Sequence, residues 1–327
     1  MKLLIIIVNY KSADLTIDCL RSLEPEIKSI AGARVIVTDN KSPDDSVERL
    51  VNAARDNAWR SWVAIQPLAR NGGFAYGNNA AIIPALNPAP GTGPRPAYIL
   101  LLNPDTIVRP GAITALLDFL ERNPKAGIAG SRLEDPDGTA QISAFRFPSI
   151  AGEFERGMRL GLITRLLKNK MVAPPVANQT TQCDWVAGAS MLVRRETFEQ
   201  AGLMDEKFFM YFEEVDFCLA ARRAGWSCWY VPDSRVVHLV GAVSQMSDSR
   251  KHRKRRPGYW FESRRRFFVK NYGWAYAAAA DLAYLLSYSM WRLRRLLQRK
   301  QDTDPPKLLV DSLTHSVFVR GCSIQES

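Results

Sequence analysis

Short apolar runs alternate with amphipathic stretches over the first 130 residues. Leu3–Val8 is an unbroken apolar run rich in β-branched side chains and reads as a buried strand. Helical spacing follows over Ala13–Leu23. Arg34–Thr38, Trp62–Gln66 and Tyr98–Leu102 read as further strands, and Gly127–Gly130 opens another. Between them Asp44–Ala54, Phe74–Ala85 and Pro110–Arg122 read as helices. Pro110 suits a first helical turn, where its missing N–H is not needed. Strands alternating with helices at this spacing predict a parallel, doubly wound α/β sheet. Such sheets bind ligands beyond the C-terminal ends of their strands. The polar clusters Asn9-Tyr10, Asp39-Asn40 and Asn103-Pro104-Asp105 fall there.

The pattern is less regular afterwards. Pro88–Pro96 is a Pro/Gly-rich loop, Glu134–Gly138 a turn, and Gly152–Pro175 a helix with a flexible connection. Trp185–Arg194 is strand-like, and Phe208–Gly225 is a loop entering a helix. Beyond His238 the composition changes. Arg250–Lys270 is basic with interleaved aromatics, and Trp274–Trp291 is apolar apart from Asp281. Residues 301–327 read as a weakly structured tail.

Charge sharpens that division. The chain carries a net +11, but residues 250–300 alone hold 15 Lys/Arg against 2 Asp/Glu, leaving the remainder at −2. A nearly neutral body with one basic segment implies an anionic partner, a membrane surface or nucleic acid. The five cysteines are scattered with no C-x-x-C pair, which argues against a disulfide framework or zinc ribbon and for reduced thiols in a cytosolic compartment. Leu3–Val8 is too short for a signal-peptide core, and no small-residue cleavage site follows it.

Four stretches carry chemistry. Asp105 ends a strand at the ligand edge, where a carboxylate can hold Mg²⁺ or Mn²⁺ and bridge it to substrate phosphates; Asn, Pro and Asp are also turn formers. Glu213, Glu214 and Asp216 crowd between aromatics, a setting that raises at least one carboxyl pKa and suits a general base. Acidic residues also complement the start of a helix. His238, one of three histidines, follows a β-branched run; it is either structural or a second metal ligand. Asn71-Gly72-Gly73-Phe74-Ala75-Tyr76-Gly77-Asn78-Asn79 opens a helix whose N–H groups can approach a phosphate or sugar. It lacks both the G-x-G-x-x-G fingerprint and the Walker G-K-[ST].

The order of these motifs resembles that of the inverting, family 2 glycosyltransferases of GT-A fold, in their bacterial rhamnosyltransferase-like branch. The matching stretches are Ile5–Tyr10, Val37–Ser42, Asn71–Asn79, Leu102–Asp105, Trp185–Ser190, Phe208–Asp216, Arg222–Trp226 and His238, spanning roughly residues 3–245. The resemblance implies a GT-A, Rossmann-like, mostly parallel sheet flanked by helices. It implies a catalytic domain over 1–245, with a nucleotide-sugar half to about 130 and an acceptor half over 131–245.

By the same resemblance, Val8 and Tyr10 line the nucleotide pocket and Asp39 accepts the pyrimidine N3–H, which suits a dTDP- or UDP-sugar. Asn71, Gly73, Asn78 and Asn103 shape the nucleotide and ribose site. Asp105 corresponds to the last carboxylate of the D-x-D metal motif, and His238 to a later metal ligand. Glu214 occupies the position of the catalytic base, more often aspartate, with Glu213 and Asp216 as alternatives. Trp185 and Gly188 lie by the donor sugar and acceptor. The implied reaction is transfer of a sugar, L-rhamnose in the branch it resembles, to a polyprenyl-linked or saccharide acceptor.

Residues 246–300 read as a basic, aromatic helical extension. Trp274–Trp291 is near the lower limit for a span and contains Asp281, so a helix lying on an anionic membrane fits better than one crossing it; helices packed on the catalytic domain are the bland alternative. The expected location is cytoplasmic, peripheral on the inner face of the plasma membrane. Nucleic acid is not the expected partner, since the body is not basic and no RNA-binding signature appears. The missing dinucleotide fingerprint argues against a nicotinamide-dependent oxidoreductase, and a nucleotidyltransferase would differ in releasing pyrophosphate.

Overall fold

The computed structural model describes residues 1–91, 93–239 and 254–322. Val240, Gly241 and the part of the basic cluster at 250–253 lie outside them. The chain divides into two compact units. The first comprises Met1–Phe145, Pro175–Phe209 and Glu213–Val243; the second comprises Arg146–Pro174, Met210–Phe212 and Ser244–Ser327. Residues 146–174, read from the sequence as part of the first domain, thus fall in the second unit.

The first unit is built on β1 (Leu3–Asn9), β2 (Ala33–Asp39), β3 (Val63–Pro67), β4 (Tyr98–Leu102), β5 (Thr106–Val108), β6 (Ala126–Glu134), β7 (Ala144–Phe145), β8 (Thr181–Cys183), β9 (Trp185–Val186), β10 (Ser190–Arg194) and β11 (Ser227–His238). The main sheet runs β3-β2-β1-β4-β10-β6-β11-β5, with β8 also on β11 and β7–β9 a separate ladder. β3, β2, β1 and β4 are parallel, as are β6 and β11, while β10 runs antiparallel between β4 and β6. The sheet is therefore mixed rather than all-parallel. The strand-like run Trp185–Arg194 is in fact two strands. It breaks at Ala187–Ala189, and β10 enters the sheet from the C-terminal edge of β4, with Ser190 opposite Leu102.

Burial explains why these runs fold as they do. Leu3, Ile5 and Ile7 of β1, Val35 and Val37 of β2 and Leu100 and Leu102 of β4 share one core with Cys19, Leu20 and Leu23 of the helix Ala13–Ser29 and Leu116, Leu117 and Leu120 of the helix Ala112–Arg122. The first of these helices outlasts its sequence signal, passing through Pro25 to Ser29. Proline removes a backbone donor and disfavours a helix interior. In the next position the buried carboxylate of Glu26 accepts the backbone N–H groups of Gly111 (2.6 Å) and Ile113 (3.0 Å), capping the second helix. All five cysteines are free, and burial pushes the Cys19 thiol up to about 12, which leaves it inert.

The second unit centres on the helix Gly258–Leu297, interrupted at Gly273 (φ +83°), with the helix Ile150–Met158 packed along it. Asp281, the lone charge in the apolar run Trp274–Trp291, is an internal residue. It pairs with the buried Arg264, which also holds Glu153 at 2.7 Å, and accepts the Val317 N–H at 2.8 Å. Much of the presumed tail is ordered as the helices Leu308–Thr314 and Val317–Arg320, anchored by buried Leu308 and Val317. No helix among the described residues is long and apolar enough to cross a membrane.

Candidate active site

The C-terminal ends of β1, β2, β4, β6 and β11 lie on one edge of the sheet, and the predicted site residues collect there. Asn9 and Asp39 are register partners at the ends of β1 and β2. Asp39 is buried, and its carboxylate is held by Asn9 Nδ2 (2.7 Å), Ser42 N–H (2.8 Å) and Ser42 Oγ (2.7 Å). A carboxylate has about four acceptor positions, so one remains for a ligand donor. Val8 and Tyr10 flank Asn9 and are half-buried.

Gly73 has a different role from the one its motif suggests. Its φ is +85°, and a β-carbon there would overlap the carbonyl of Phe209. The Phe74 N–H donates to that same carbonyl at 3.1 Å. Glycine is required here for close backbone approach, and the Phe74 N–H is spent inside the protein rather than presented to a phosphate. Asn71 Oδ1 accepts the Gly73 N–H (3.2 Å), and Asn40 Nδ2 donates to the Gly73 carbonyl (2.9 Å). Asn78 is fully buried and donates to the Phe74 carbonyl (2.9 Å), so it supports the loop from within.

Asn103 and Asp105 follow β4. Thr106 of β5 is the register partner of His238 in β11, and the Leu239 N–H donates to the Asp105 carbonyl at 2.9 Å. This pairing brings Asp105 Oδ1 to 3.6 Å from His238 Nε2, with Asn103 Nδ2 3.4 Å from the same ring nitrogen. Burial holds the His238 pKa below its ordinary value, against the opposing charges of Asp105 and Asp135. A neutral imidazole keeps a nitrogen lone pair for a cation. One carboxylate oxygen and one imidazole nitrogen, both largely buried, suit a divalent ion. Among the described residues no third His, Cys, Asp or Glu completes a cluster, so substrate oxygens and water would fill the remaining positions.

Glu213, Glu214 and Asp216 open the helix Glu213–Arg223. The two residues before it, Tyr211 and Phe212, both have φ of +69°, a conformation that costs energy in side-chain-bearing residues. Oε2 of Glu213 and Oε2 of Glu214 are buried with no hydrogen-bond partner. Burial raises both carboxyl pKa values, Glu213 further because of Glu214's charge, and Glu214 to about 7. Gly188 lies beside Glu214: a β-carbon on it would stand 3.8 Å from Glu214 Cβ and 3.2 Å from the Phe74 ring. The Asn103 N–H donates to the Ala189 carbonyl (3.0 Å), tying this stretch to the strand end that carries Asp105. Trp185 stacks on Phe145 across β7–β9 at 4.1 Å.

Residues 2–257 match the family described as glycosyltransferase like family 2. The chain belongs to this family. Among its relatives, the N-acetylglucosaminyl-diphospho-decaprenol L-rhamnosyltransferase of Mycobacterium tuberculosis is 32% identical over 211 residues, covering 62% of this chain and 66% of that protein. The rhamnosyltransferase WbbL of Escherichia coli is 28% identical over 172 residues, 51% of this chain and 61% of WbbL. The chain thus matches just under two-thirds of the length of each. Among solved structures, GalNAc-T7 with UDP, GalNAc and Mn²⁺ superposes with a TM-score of 0.58 at 14% identity, covering 92% of this chain and 55% of that one. That likeness establishes the fold.

The sequence alone did not assign roles to three residues at this edge. Ser42 and Asn40 were visible only as parts of a motif, and their roles depend on pairing with Asp39 and Gly73. Asp135, in a turn after β6, bears on His238 only because β6 and β11 are neighbours.

Proposed function

We propose that this glycosyltransferase-family protein transfers a sugar, L-rhamnose in the reading its relatives favour, from a dTDP- or UDP-sugar to a polyprenyl-linked or saccharide acceptor. Such a reaction belongs to cell-surface glycan synthesis, with the protein peripheral on the cytoplasmic face of the membrane. The observation that carries the reading is Glu214: a carboxyl with a buried, unpartnered oxygen, raised by burial to a pKa of about 7, next to Gly188, where even a β-carbon would press on the Phe74 ring.

Glu214 takes the proton from the acceptor hydroxyl as that oxygen attacks the anomeric carbon. The bond to the diphosphate breaks in the same displacement, the configuration inverts, and the nucleoside diphosphate leaves. A base works best with a pKa near ambient pH. Glu213, held neutral by burial beside Glu214, keeps the pair from both being charged. Asp39 offers its remaining acceptor position to the pyrimidine N3–H. Asp105 and His238 would hold Mg²⁺ or Mn²⁺, which neutralises charge on the departing diphosphate. His238 stays neutral for this role.

Calorimetric titration with UDP and dTDP, each with and without Mn²⁺, tests this reading. Metal-dependent binding of either nucleotide is expected, and preference for one identifies the donor class. Folded protein that binds neither would overturn it.

A further inference from the structure

Beyond Gly273 the helix Gly258–Leu297 buries several polar residues on one side and exposes a line of apolar ones on the other. Asp281, Tyr284, Ser287, Tyr288 and Arg295 are buried within the second unit. On the opposite side Leu282, Leu286, Met290, Leu293 and Leu297 are 49%, 55%, 56%, 60% and 77% exposed. Their spacing of four, four, three and four residues places them in one line along a helix. At 1.5 Å per residue the line runs for roughly 22 Å. Leucines at this exposure in an unbroken row mark a surface that meets something apolar.

The ends of the row say what that is. Arg299 and Lys300 are exposed immediately after it, whereas Arg264, Arg265, Arg266 and Arg295 of the same basic segment are buried. A second copy of the chain would bring an equally basic segment to the same face, whereas an anionic bilayer supplies the opposite charge. The helix is not apolar enough to cross a membrane. We propose that the row from Leu282 to Leu297 is the docking face of this protein on an anionic lipid bilayer, lying in the boundary between headgroups and acyl chains. This deepens the membrane part of the proposed function and rests on it for its purpose. It also narrows the sequence reading, in which the run Trp274–Trp291 lies on an anionic membrane, to one face of the helix.

The test is sedimentation of the full chain with vesicles of phosphatidylcholine containing phosphatidylglycerol, compared with phosphatidylcholine alone. Wild-type protein is expected to bind the anionic vesicles preferentially. Leu286→Glu/Leu293→Glu is expected to reduce that binding at least about 10-fold, with unchanged circular dichroism and melting temperature, since both sites are exposed. Arg299→Glu/Lys300→Glu is expected to weaken it in a salt-sensitive way. Undiminished vesicle binding by the leucine variant, or no binding by the wild type, would overturn the proposal. So would a wild-type dimer in light scattering that the leucine variant converts to monomer. Nucleotide titration of the same samples separates this inference from the donor reading: loss of vesicle binding in the leucine variant, with no UDP or dTDP binding by any sample, leaves the docking face standing and removes the donor reading.

Discussion

Asp105 Oδ1 and His238 Nε2 lie 3.6 Å apart because β5 and β11 pair, with Thr106 opposite His238. One residue leaves the parallel strand β4 and the other ends β11, so a ladder of three residue pairs sets the spacing of the proposed ion ligands. Asp105→Ala is expected to lower Mn²⁺-dependent nucleotide binding by roughly 10-fold to 100-fold and to abolish turnover, in the range that removal of a group supporting a metal costs. His238→Ala is expected to do likewise. Calorimetry with and without Mn²⁺ reads both, and wild-type metal dependence in either variant would remove that residue from the ion site.

Glu214→Gln is expected to cut transfer by about 10²–10⁴-fold, the contribution of a positioned base, while leaving nucleotide affinity intact. In the wild type, transfer is expected to rise with pH up to about 7 and level off above, as Glu214 becomes charged. If Asp216→Asn alone stops transfer, the base is Asp216.

The same carboxyl also affects stability, with the opposite sign. Its folded pKa is raised from 4.5 to about 7, so the folded state binds the proton more tightly than the unfolded chain does. Stability from this group is full below about 4.5 and is lost as pH rises through about 7. Thermal melts at pH 5 and pH 8 should therefore differ more for the wild type than for Glu214→Gln. An equal difference in both would show that this carboxyl is not buried as described.

Gly188→Ala places a methyl group 3.2 Å from the Phe74 ring and 3.8 Å from Glu214 Cβ. The ring must give slightly, and the space beside the base narrows. Transfer is expected to fall by roughly 10-fold to 100-fold, as small displacements at a reacting centre do, with little change in melting temperature. Wild-type kinetics would show that the acceptor does not use this space.

Arg264 joins two buried carboxylates, Glu153 and Asp281, in the second unit. Arg264→Met leaves Asp281 without its cation and Glu153 with Arg156 alone. It is expected to destabilise that unit by about 3–5 kcal/mol, the cost of breaking a buried pair, seen as a lower urea midpoint. A change below about 1 kcal/mol would mean that water reaches the network.

What the sequence determined by itself was local or ordered. Runs such as Leu3–Val8 and Tyr98–Leu102 specify strands because six or so contiguous apolar residues have nowhere to go but a core, and the succession of weak motifs identified the family. The tertiary structure decided everything that depends on pairing. β10 is antiparallel because the chain returns from the ligand edge, which periodicity within Trp185–Arg194 cannot express. Gly73 is needed for the close approach of the Phe209 backbone, far along the chain. Asp281 looked like a flaw in an apolar run until Arg264 and the Val317 N–H supplied its partners. The outward-facing leucines of the last long helix became distinguishable from the inward ones only once the other side was covered. Hydrophobic pattern says that a face is apolar; which neighbour covers it is set by contacts between residues distant in the chain.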